Sequence, residues 1–373
     1  MSNTIAMPVI KVQSRVQQLA QLSWLSIRAQ WPFYIMALAY ALTAYVVLAD
    51  VPSYKQAPIK GLVLGMIGFT VPAGLVAVFV LRLLQYALVI KPESPVRQLW
   101  HDVSSLLRKP AALITGLPLL VAMVIFNKGM LEMKPMIPLL KPFSYDETLM
   151  QLDRSLHFGF DPWVLLQPIL GHDAITFVIS IAYNFWFLAL FGTFVWFGFA
   201  KQVSALRTQF FLSYMLCWWI GGGLLAILFS SAGPVYYGQI GLSPDPYAPL
   251  MAYLRDVDTR LPIWSLLAQD TLWDGYTGKA TAIGISAFPS MHNASAVLFA
   301  LAAWRQSRTA GIVFAVYAVI ILVGSVHLGW HYAVDGYGSI LLAVAAWWVA
   351  GVVARWHGNL TTTKRLNEGL AAL

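Results

Sequence analysis

Apolar runs separated by polar loops dominate the chain. We predict that eight of these runs cross a bilayer as helices, because each covers much or all of the roughly 30 Å hydrocarbon core. The predicted spans lie at residues 32–49, 61–81, 111–126, 174–199, 209–231, 287–304, 309–329 and 334–354. The pattern therefore predicts an all-α integral membrane protein with about eight transmembrane helices.

Composition supports this interpretation. Hydrophobic residues make up 59% of the 373 residues and charged residues 11%, whereas roughly 25% of a soluble protein is charged. The single cysteine, Cys217, lies in an apolar run, so no disulfide can form within the chain and a buried thiol is expected. The net charge of +8 does not indicate a nucleic-acid partner, because the basic residues are scattered over short loops.

The scattered charges instead predict a topology. With the N-terminus inside, 15 of the 24 basic residues and three of the 16 acidic residues fall in cytoplasmic segments, leaving nine basic and 13 acidic residues outside. This asymmetry follows the positive-inside rule. We therefore expect a cytoplasmic N-terminus in a cell membrane, as in a bacterial inner membrane, with the loop at residues 232–286 and the histidine-bearing stretches at 288–292 and 327–335 on the outer or periplasmic face.

Polar segments between the runs predict three parts of the chain. Residues 1–110 would hold an amphipathic segment, an accessory two-helix hairpin and a cytoplasmic connection. Residues 111–354 would form a six-span core with surface helices and a cap loop on its outer face, and residues 355–373 a cytoplasmic tail. Within the core, the stretch from Asp146 to Arg154 has the alternation of an amphipathic surface helix.

Candidate chemistry is concentrated in two stretches, Phe288–His292 and His327–Asp335. Asp335 follows His331 by four residues, a spacing that places both side chains on one helix face within hydrogen-bonding reach. A carboxylate that holds one imidazole nitrogen leaves the other free to attack, and His292 at the mouth of a neighbouring span could move the proton. Ser290 adds a hydroxyl at a helix start, which suits an anion. These residue types together indicate phosphoryl chemistry.

Alternatives remain at this point. His327 also lies four residues before His331, so it could contact a phosphate, share a zinc ion with His331 or be a packed histidine. Tyr236 could bind substrate or belong to an interfacial aromatic belt. Intramembrane His and Asp could also relay protons in a transporter, although these residues lie at one face and do not line a path.

The same stretches carry a family resemblance. Phe-Pro-Ser-Met-His at 288–292 and His-Tyr-Ala-Val-Asp at 331–335 resemble two motifs of the type 2 phosphatidic acid phosphatase superfamily. They look closest to its inositol phosphorylceramide synthase and sphingomyelin synthase branch, as do Ser-Ala-Gly-Pro-Val-Tyr-Tyr at 231–237 and the Asp-x-x-Leu-x-x-Leu-Asp stretch at 146–153. The resemblance covers about residues 111–354 and implies a six-helix core.

The resemblance implies a role for each site residue. His331 would be the nucleophile that forms a phosphohistidine, Asp335 would orient it, and His292 would act as general acid and then base. Ser290 would hold a phosphate oxygen, and neither a metal nor another cofactor would be needed. One departure is informative: the phosphatase motif has Arg six residues before the nucleophile, where this chain has Ser325.

A site with fewer cations suits a phosphodiester, which carries one negative charge, better than a phosphomonoester dianion. The sequence therefore predicts an enzyme that transfers a phosphorylated head group from a phospholipid donor to a lipid or polyprenyl alcohol at the outer leaflet. The alternative is a lipid phosphatase of the same superfamily with water as acceptor. The oligomeric state and the identities of donor and acceptor do not follow from the sequence.

Overall fold

The computed structural model of the protein describes residues 14–51, 68, 71–86, 90–108, 110–280 and 284–373. These described residues form helices joined by turns and loops and contain no β-strand. The predicted all-α fold is thereby confirmed. In chain order the helices are α1 (Arg15–Ala29), α2 (Trp31–Leu48), α3 (Val71–Gln85), α4 (Pro95–Arg108), α5 (Pro110–Leu140), α6 (Asp146–Leu156), α7 (Pro162–Leu170), α8 (Asp173–Gly198), α9 (Ala205–Leu228), α10 (Ala248–Asp258), α11 (Trp264–Tyr276), α12 (Met291–Trp304), α13 (Arg308–His327), α14 (Ala333–Gly358) and α15 (Thr361–Ala371).

Six of the described helices are long and apolar enough to cross a membrane: α2, α5, α8, α9, α13 and α14. The count of eight is not confirmed. The predicted span at 287–304 corresponds to α12, which has only 14 residues because the chain enters it in an extended conformation. The predicted span at 61–81 lies partly outside the described residues. The span predicted at 111–126 is longer, since α5 continues to Leu140.

Serine residues fix the starts of three core helices. Ser204, Ser290 and Ser307 precede α9, α12 and α13, and each side-chain oxygen accepts the backbone N–H three residues later. A serine in this position satisfies an N–H group that has no partner inside the helix. The start of α12, and with it the place of His292, is therefore set by the local sequence.

Aromatic side chains from several helices fill the main core. Phe33 of α2 packs edge-on against Phe211 of α9, and Tyr40 of α2 lies 4.9 Å from Phe126 of α5, measured between ring centroids. All four side chains are at most 1% exposed. Helix α2 therefore shares the core of α5 and α9, while the division of the chain at residues 110 and 354 stays a prediction.

Arg207 joins four parts of the bundle at the end opposite to His292. Its Nε donates to the carbonyl of Phe197 at 2.9 Å, and its Nη2 donates to Gly198, Thr115 and Gln30. The guanidinium is fully buried and its partners are carbonyl oxygens, two of them at the C-terminus of α8, where the helix dipole favours a cation. Arg207 thus ties α8 and α9 to α5 and to the junction of α1 and α2.

Helix α6 and the turn that follows it lie outside the candidate spans and carry apolar side chains on their exposed side. Leu152 and Leu156 are 45% and 55% exposed, and Phe158 and Phe160 are 91% and 54% exposed. The opposite side of the same helix buries Asp146, Leu149, Met150 and Asp153. An element with this division resembles an interfacial helix, as the sequence predicts.

We expect Arg207→Lys to lower thermal stability, because one ammonium group cannot reproduce a planar fork that reaches carbonyls in four places. Leaving buried carbonyls without donors costs about 1–3 kcal/mol each. Thermal unfolding of the purified protein in detergent measures the effect. Arg355→Lys, on the exposed surface of α14, is the matched control, and equal unfolding temperatures for the two variants would contradict the role given to Arg207.

Candidate active site

Three loops meet at one end of the bundle: the loop after α9, the extended segment before α12 and the loop between α13 and α14. The backbone N–H of Ala287 donates to the carbonyl of Ser231 at 2.9 Å, and the N–H of Phe288 donates to the Ser231 hydroxyl at 3.1 Å. The N–H of Val235 donates to the carbonyl of Gly329 at 3.0 Å. Backbone hydrogen bonds therefore hold both predicted motif stretches against the loop after α9.

Gly233 allows this close approach. Its φ is +101°, a conformation that residues with a side chain rarely adopt. A Cβ atom added at Gly233 would lie 2.8 Å from the carbonyl oxygen of Trp330. Only glycine fits here, which gives a physical reason for the Ala-Gly-Pro sequence at 232–234.

His331 and Asp335 lie side by side, with 3.2 Å between His331 Nδ1 and Asp335 Oδ2. The reason differs from the predicted one, because His331 precedes α14 and the two residues do not share a helix face. Asp335 is instead the third residue of α14, and its Oδ2 also accepts the backbone N–H of Tyr332 at 3.0 Å, as in a capping box. The cap of the helix therefore brings the carboxylate to the imidazole.

Burial lowers the pKa of His331 to about 3. The side chain is only 7% exposed, and a low-dielectric environment disfavours the charged imidazolium. The resting imidazole is therefore neutral at physiological pH. Nδ1 lies against Asp335, and a proton held on Nδ1 would leave the lone pair of a nucleophile on Nε2.

Ser290 connects the two motif stretches. Its backbone N–H donates to the carbonyl of Asp335 at 3.3 Å, so the starts of α12 and α14 are joined directly. The hydroxyl oxygen accepts the side-chain amide of Asn293 at 3.0 Å as well as the backbone N–H of the same residue. Both bonds use lone pairs of the oxygen, which leaves the hydroxyl proton available to another acceptor.

His292 is enclosed by aromatic rings of α8. Its imidazole stacks on Tyr183, with 5.0 Å between ring centroids and 14° between planes, and lies 4.1 Å from Trp186. Phe187 approaches edge-on at 6.0 Å, and Tyr183 also stacks on Trp330 in the loop that carries His331. These contacts bring the two histidines to one region, between α8, α12 and the last loop.

His327 lies elsewhere. It is the last residue of α13, so the shared helix face on which its predicted phosphate contact depends does not exist. The side chain is fully buried, and its Nε2 lies 2.9 Å from the Thr176 hydroxyl. A packed histidine accounts for this geometry. Within the described part of the chain, no three His, Cys, Asp or Glu side chains are grouped so that they could hold a metal ion.

Tyr236 is also accounted for by packing. Its hydroxyl donates to the carbonyl of Gln269 at 2.8 Å, and its ring stacks on Trp273 at 5.3 Å. The side chain is 2% exposed. A role for Tyr236 in substrate binding stays a prediction, and these contacts give it no support.

Two carboxylates of α6 support the site, and sequence reasoning did not assign them to it. Asp153 accepts the backbone N–H groups of Ala333 and Val334 at 2.8 and 2.9 Å, at the start of α14. Asp146 accepts the N–H groups of Ala232 and Gly233 and the Tyr332 hydroxyl. The helix therefore fastens the loop after α9 and the loop that carries His331.

The spacing of seven between Asp146 and Asp153 is the signal that could have found this pair, because residues seven apart face the same side of a helix. The sequence does not predict which groups these carboxylates bind. Their partners are backbone N–H groups 86 or more positions away along the chain, and such groups carry no sequence signature.

One comparison with known proteins found a match. A family model described as the PAP2 superfamily matches residues 147–349, more than half of the chain. The protein therefore belongs to the PAP2 superfamily, whose members are phosphatases and phosphotransferases. No curated protein and no solved structure matches the chain at a significant level. The match begins within α6 and ends within α14, and so includes both motif stretches.

We expect Asp153→Asn to flatten the dependence of thermal stability on pH. Burial raises the pKa of Asp153 to about 7, although hydrogen bonds from Ala333 and Val334 oppose the change. The folded protein thus binds this proton more tightly than the unfolded chain does. The resulting stabilisation is present below about pH 4 and is lost as the pH rises towards 7.

Unfolding temperatures of the two proteins between pH 4 and pH 8 test this expectation. The wild type should lose more stability over that range than Asp153→Asn, which has no proton to release at this position. Glu147→Gln, an exposed change on the same helix, serves as the control and should follow the wild-type curve. Parallel curves for wild type and Asp153→Asn would contradict the expectation.

Proposed function

We propose that the protein is a membrane-embedded phosphotransferase that moves a phosphorylated head group between lipids through a phosphohistidine intermediate. The single observation that carries this proposal is the 3.2 Å contact between His331 Nδ1 and Asp335 Oδ2, in a site that also contains His292. Membership of the PAP2 superfamily supports the reaction class.

In the first step, Nε2 of His331 attacks the phosphorus of the donor lipid. A P–N bond forms while the P–O bond to the donor's lipid alcohol breaks, and His292 gives its proton to the departing oxygen. His331 keeps its other proton on Nδ1, where Asp335 stabilises the charge that develops on the ring. His292 must enter this step protonated, a condition that the negative charge of a bound phosphate favours.

In the second step, the acceptor alcohol enters the position that the first product has left. His292, now neutral, takes the proton from the acceptor hydroxyl as the new O–P bond forms and the P–N bond to His331 breaks. Both histidines return to their starting protonation states. Water in place of the alcohol would complete a hydrolysis by the same route, so the acceptor that is admitted decides between transferase and phosphatase.

The charges of the site favour a phosphodiester donor. Ser325, which stands where the phosphatase motif has Arg, is fully buried and donates its hydroxyl to the carbonyl of Leu322. The arginines on this face of the bundle form ion pairs with carboxylates: Arg154 with Asp161, Arg255 with Asp270, and Arg260 with Asp173 and Asp256. These contacts support the proposal that the protein belongs with the inositol phosphorylceramide and sphingomyelin synthase branch. Its candidate acceptors are then diacylglycerol, ceramide or a polyprenol.

We further propose that the site faces the outer leaflet and that the N-terminus is cytoplasmic. The positive-inside asymmetry supports this orientation. Residues 1–13 lie outside the described residues, but α15 at the C-terminus packs beside α1, so both belong to one end of the bundle. That end is opposite to the one that holds His292 and His331.

We expect His331→Ala to abolish head-group transfer and Asp335→Asn to reduce it by about four orders of magnitude, because the amide holds the wrong tautomer of the imidazole. The assay incubates the purified protein with phosphatidylinositol, phosphatidylethanolamine, phosphatidylglycerol or phosphatidylcholine, with diacylglycerol, ceramide and water as competing acceptors. Mass spectrometry identifies the lipid products.

Two further measurements make this test specific. Protein quenched at alkaline pH during turnover should carry the phosphorylated head group on the peptide that contains His331. His172→Ala changes an exposed histidine on the same face and should keep wild-type activity. Transfer by His331→Ala at the wild-type rate would refute the phosphohistidine mechanism.

For the orientation, we expect a cysteine at position 277 to react with an impermeant thiol reagent in intact cells. Thr277 is exposed in the loop after α11, on the site face, and the native Cys217 is only 1% exposed and should not react. The matched variant Lys364→Cys, on α15, should react only after permeabilisation. The reverse pattern would place the site on the cytoplasmic side.

A further inference from the structure

One basic side chain near the histidine pair is not used by the mechanism described so far. Lys134 lies near the end of α5 that faces the site. Its backbone packs directly on the segment that leads to the Phe288–His292 stretch, since a Cβ atom added at Gly284 would lie 2.5 Å from the Lys134 carbonyl oxygen. Beyond the effect of burial, the positive charge of Lys134 lowers the pKa of His331, whose ring lies in the same region as that of His292. The family match begins at residue 147 and does not include this lysine.

Lys134 differs from the other basic residues described on the site face. Lys128 pairs with Glu132 at 2.6 Å, Lys141 donates to the carbonyl of Leu228, and Lys279 lies 3.8 Å from Asp274. The three arginines of this face form the ion pairs given above. Among the described lysines and arginines of this face, Lys134 alone has neither an ion pair nor a side-chain hydrogen bond, although it is half-buried.

Two neutral donors in the same region also lack partners. The Tyr183 hydroxyl and the Trp186 indole N–H are buried, and neither forms a hydrogen bond within the described structure. Both rings contact His292, and the two side chains are 4% and 2% exposed. An unsatisfied buried donor costs about 1–3 kcal/mol. A ligand oxygen that fills the site would remove this cost.

We propose that Lys134, Tyr183 and Trp186 form the subsite that binds the phosphoryl oxygens of the substrate, with Lys134 as its one cation, and that this subsite selects phosphodiesters over phosphomonoesters. The inference rests on the proposed function, since it assigns the oxygen contacts of the same phosphoryl group. It replaces the arginine contact that the sequence lacks at Ser325 with a cation from a different helix.

Charge explains the selectivity. A phosphodiester carries one negative charge at neutral pH, which a single ammonium neutralises. A phosphomonoester is close to a dianion, because its second pKa is about 6, and would keep an uncompensated charge in a partly buried site. The neutral donors form hydrogen bonds with phosphoryl oxygens but add no positive charge. They therefore stabilise a bound monoanion and leave the second negative charge of a dianion without a counter-charge.

Kinetics of the Lys134 variants test this proposal. We expect Lys134→Met to lower kcat/KM for the best phosphodiester donor by about 100-fold or more, the usual loss when a charged donor is removed from a developing oxyanion. Lys134→Arg should retain most activity. Lys128→Met, six residues earlier on the same helix, is the matched control and should stay within about twofold of wild type, since its lysine already has a carboxylate partner.

The neutral donors are tested by removing one hydroxyl at a time. Tyr183→Phe keeps the ring that stacks on His292 and should lower kcat/KM about tenfold, the value of one hydrogen bond to a charged group. Tyr317→Phe removes a hydroxyl that is bonded to the carbonyl of Ala182 instead. That change should leave kcat/KM within about twofold of wild type.

Inhibition by orthovanadate supplies a readout that a purely structural role would not change. Vanadate can adopt the five-coordinate geometry of phosphorus in the transition state, and we expect its inhibition constant to rise at least tenfold in Lys134→Met and to be unchanged in Lys128→Met. Thermal unfolding checks that each variant is folded. For wild type, kcat/KM for the phosphodiester donor should exceed that for phosphatidic acid, a monoester, by at least tenfold.

The outcomes separate this inference from the proposed function. If wild-type turnover requires His331 but Lys134→Met retains wild-type kinetics and vanadate inhibition, the subsite is wrong and the transferase proposal stands. A preference of the wild type for phosphatidic acid would overturn the selectivity. If wild type transfers no head group, or transfers it without His331, the proposed function itself fails.

Discussion

The start of α14 imposes the constraint on which the site depends. The first N–H groups of a helix have no partner inside it, and here they are buried beside an apolar bundle where water cannot serve them. Two carboxylates meet this need: Asp153 from α6 binds the N–H groups of Ala333 and Val334, and Asp335 binds that of Tyr332. Because Asp335 also meets His331, the group that caps the helix is the group that orients the proposed nucleophile.

Stability and function are thereby joined at the same atoms. Asp146 holds the loop after α9, and Ser231 holds the extended segment before α12. The last loop is held through its own Gly329 and Tyr332, which bind Val235 and Asp146. At the other end of the bundle, Arg207 performs the complementary task, because it supplies donors to carbonyls that end α8. Charged groups of opposite sign thus complete the backbone hydrogen bonding at the two ends of the membrane bundle.

The sequence predicts the membrane class, most of the long helices and the residues that meet at the site, because apolar length and residue chemistry are local properties. It does not predict the extended segment that precedes α12, because that segment is held by hydrogen bonds to Ser231, which lies 57 positions before Phe288. The helix face that His327 was expected to share with His331 is absent for a similar reason: α13 ends at this residue, and a turn separates it from His331. No local pattern identifies Lys134, because its place near the site comes from the packing of α5 against a segment about 150 positions later.

The exposed apolar side chains of α6 and its following turn have a consequence for how the site responds to its surroundings. Phe158 and Phe160 would enter the boundary between head groups and acyl chains, while Asp153 on the same helix grips the start of α14. A change in the depth of α6 in the membrane interface would therefore move the loop that carries His331, because Asp153 joins the two. A bilayer of different thickness or lateral pressure would shift α6 and, through Asp153, the His331 loop. A detergent micelle would not hold α6 at a fixed depth.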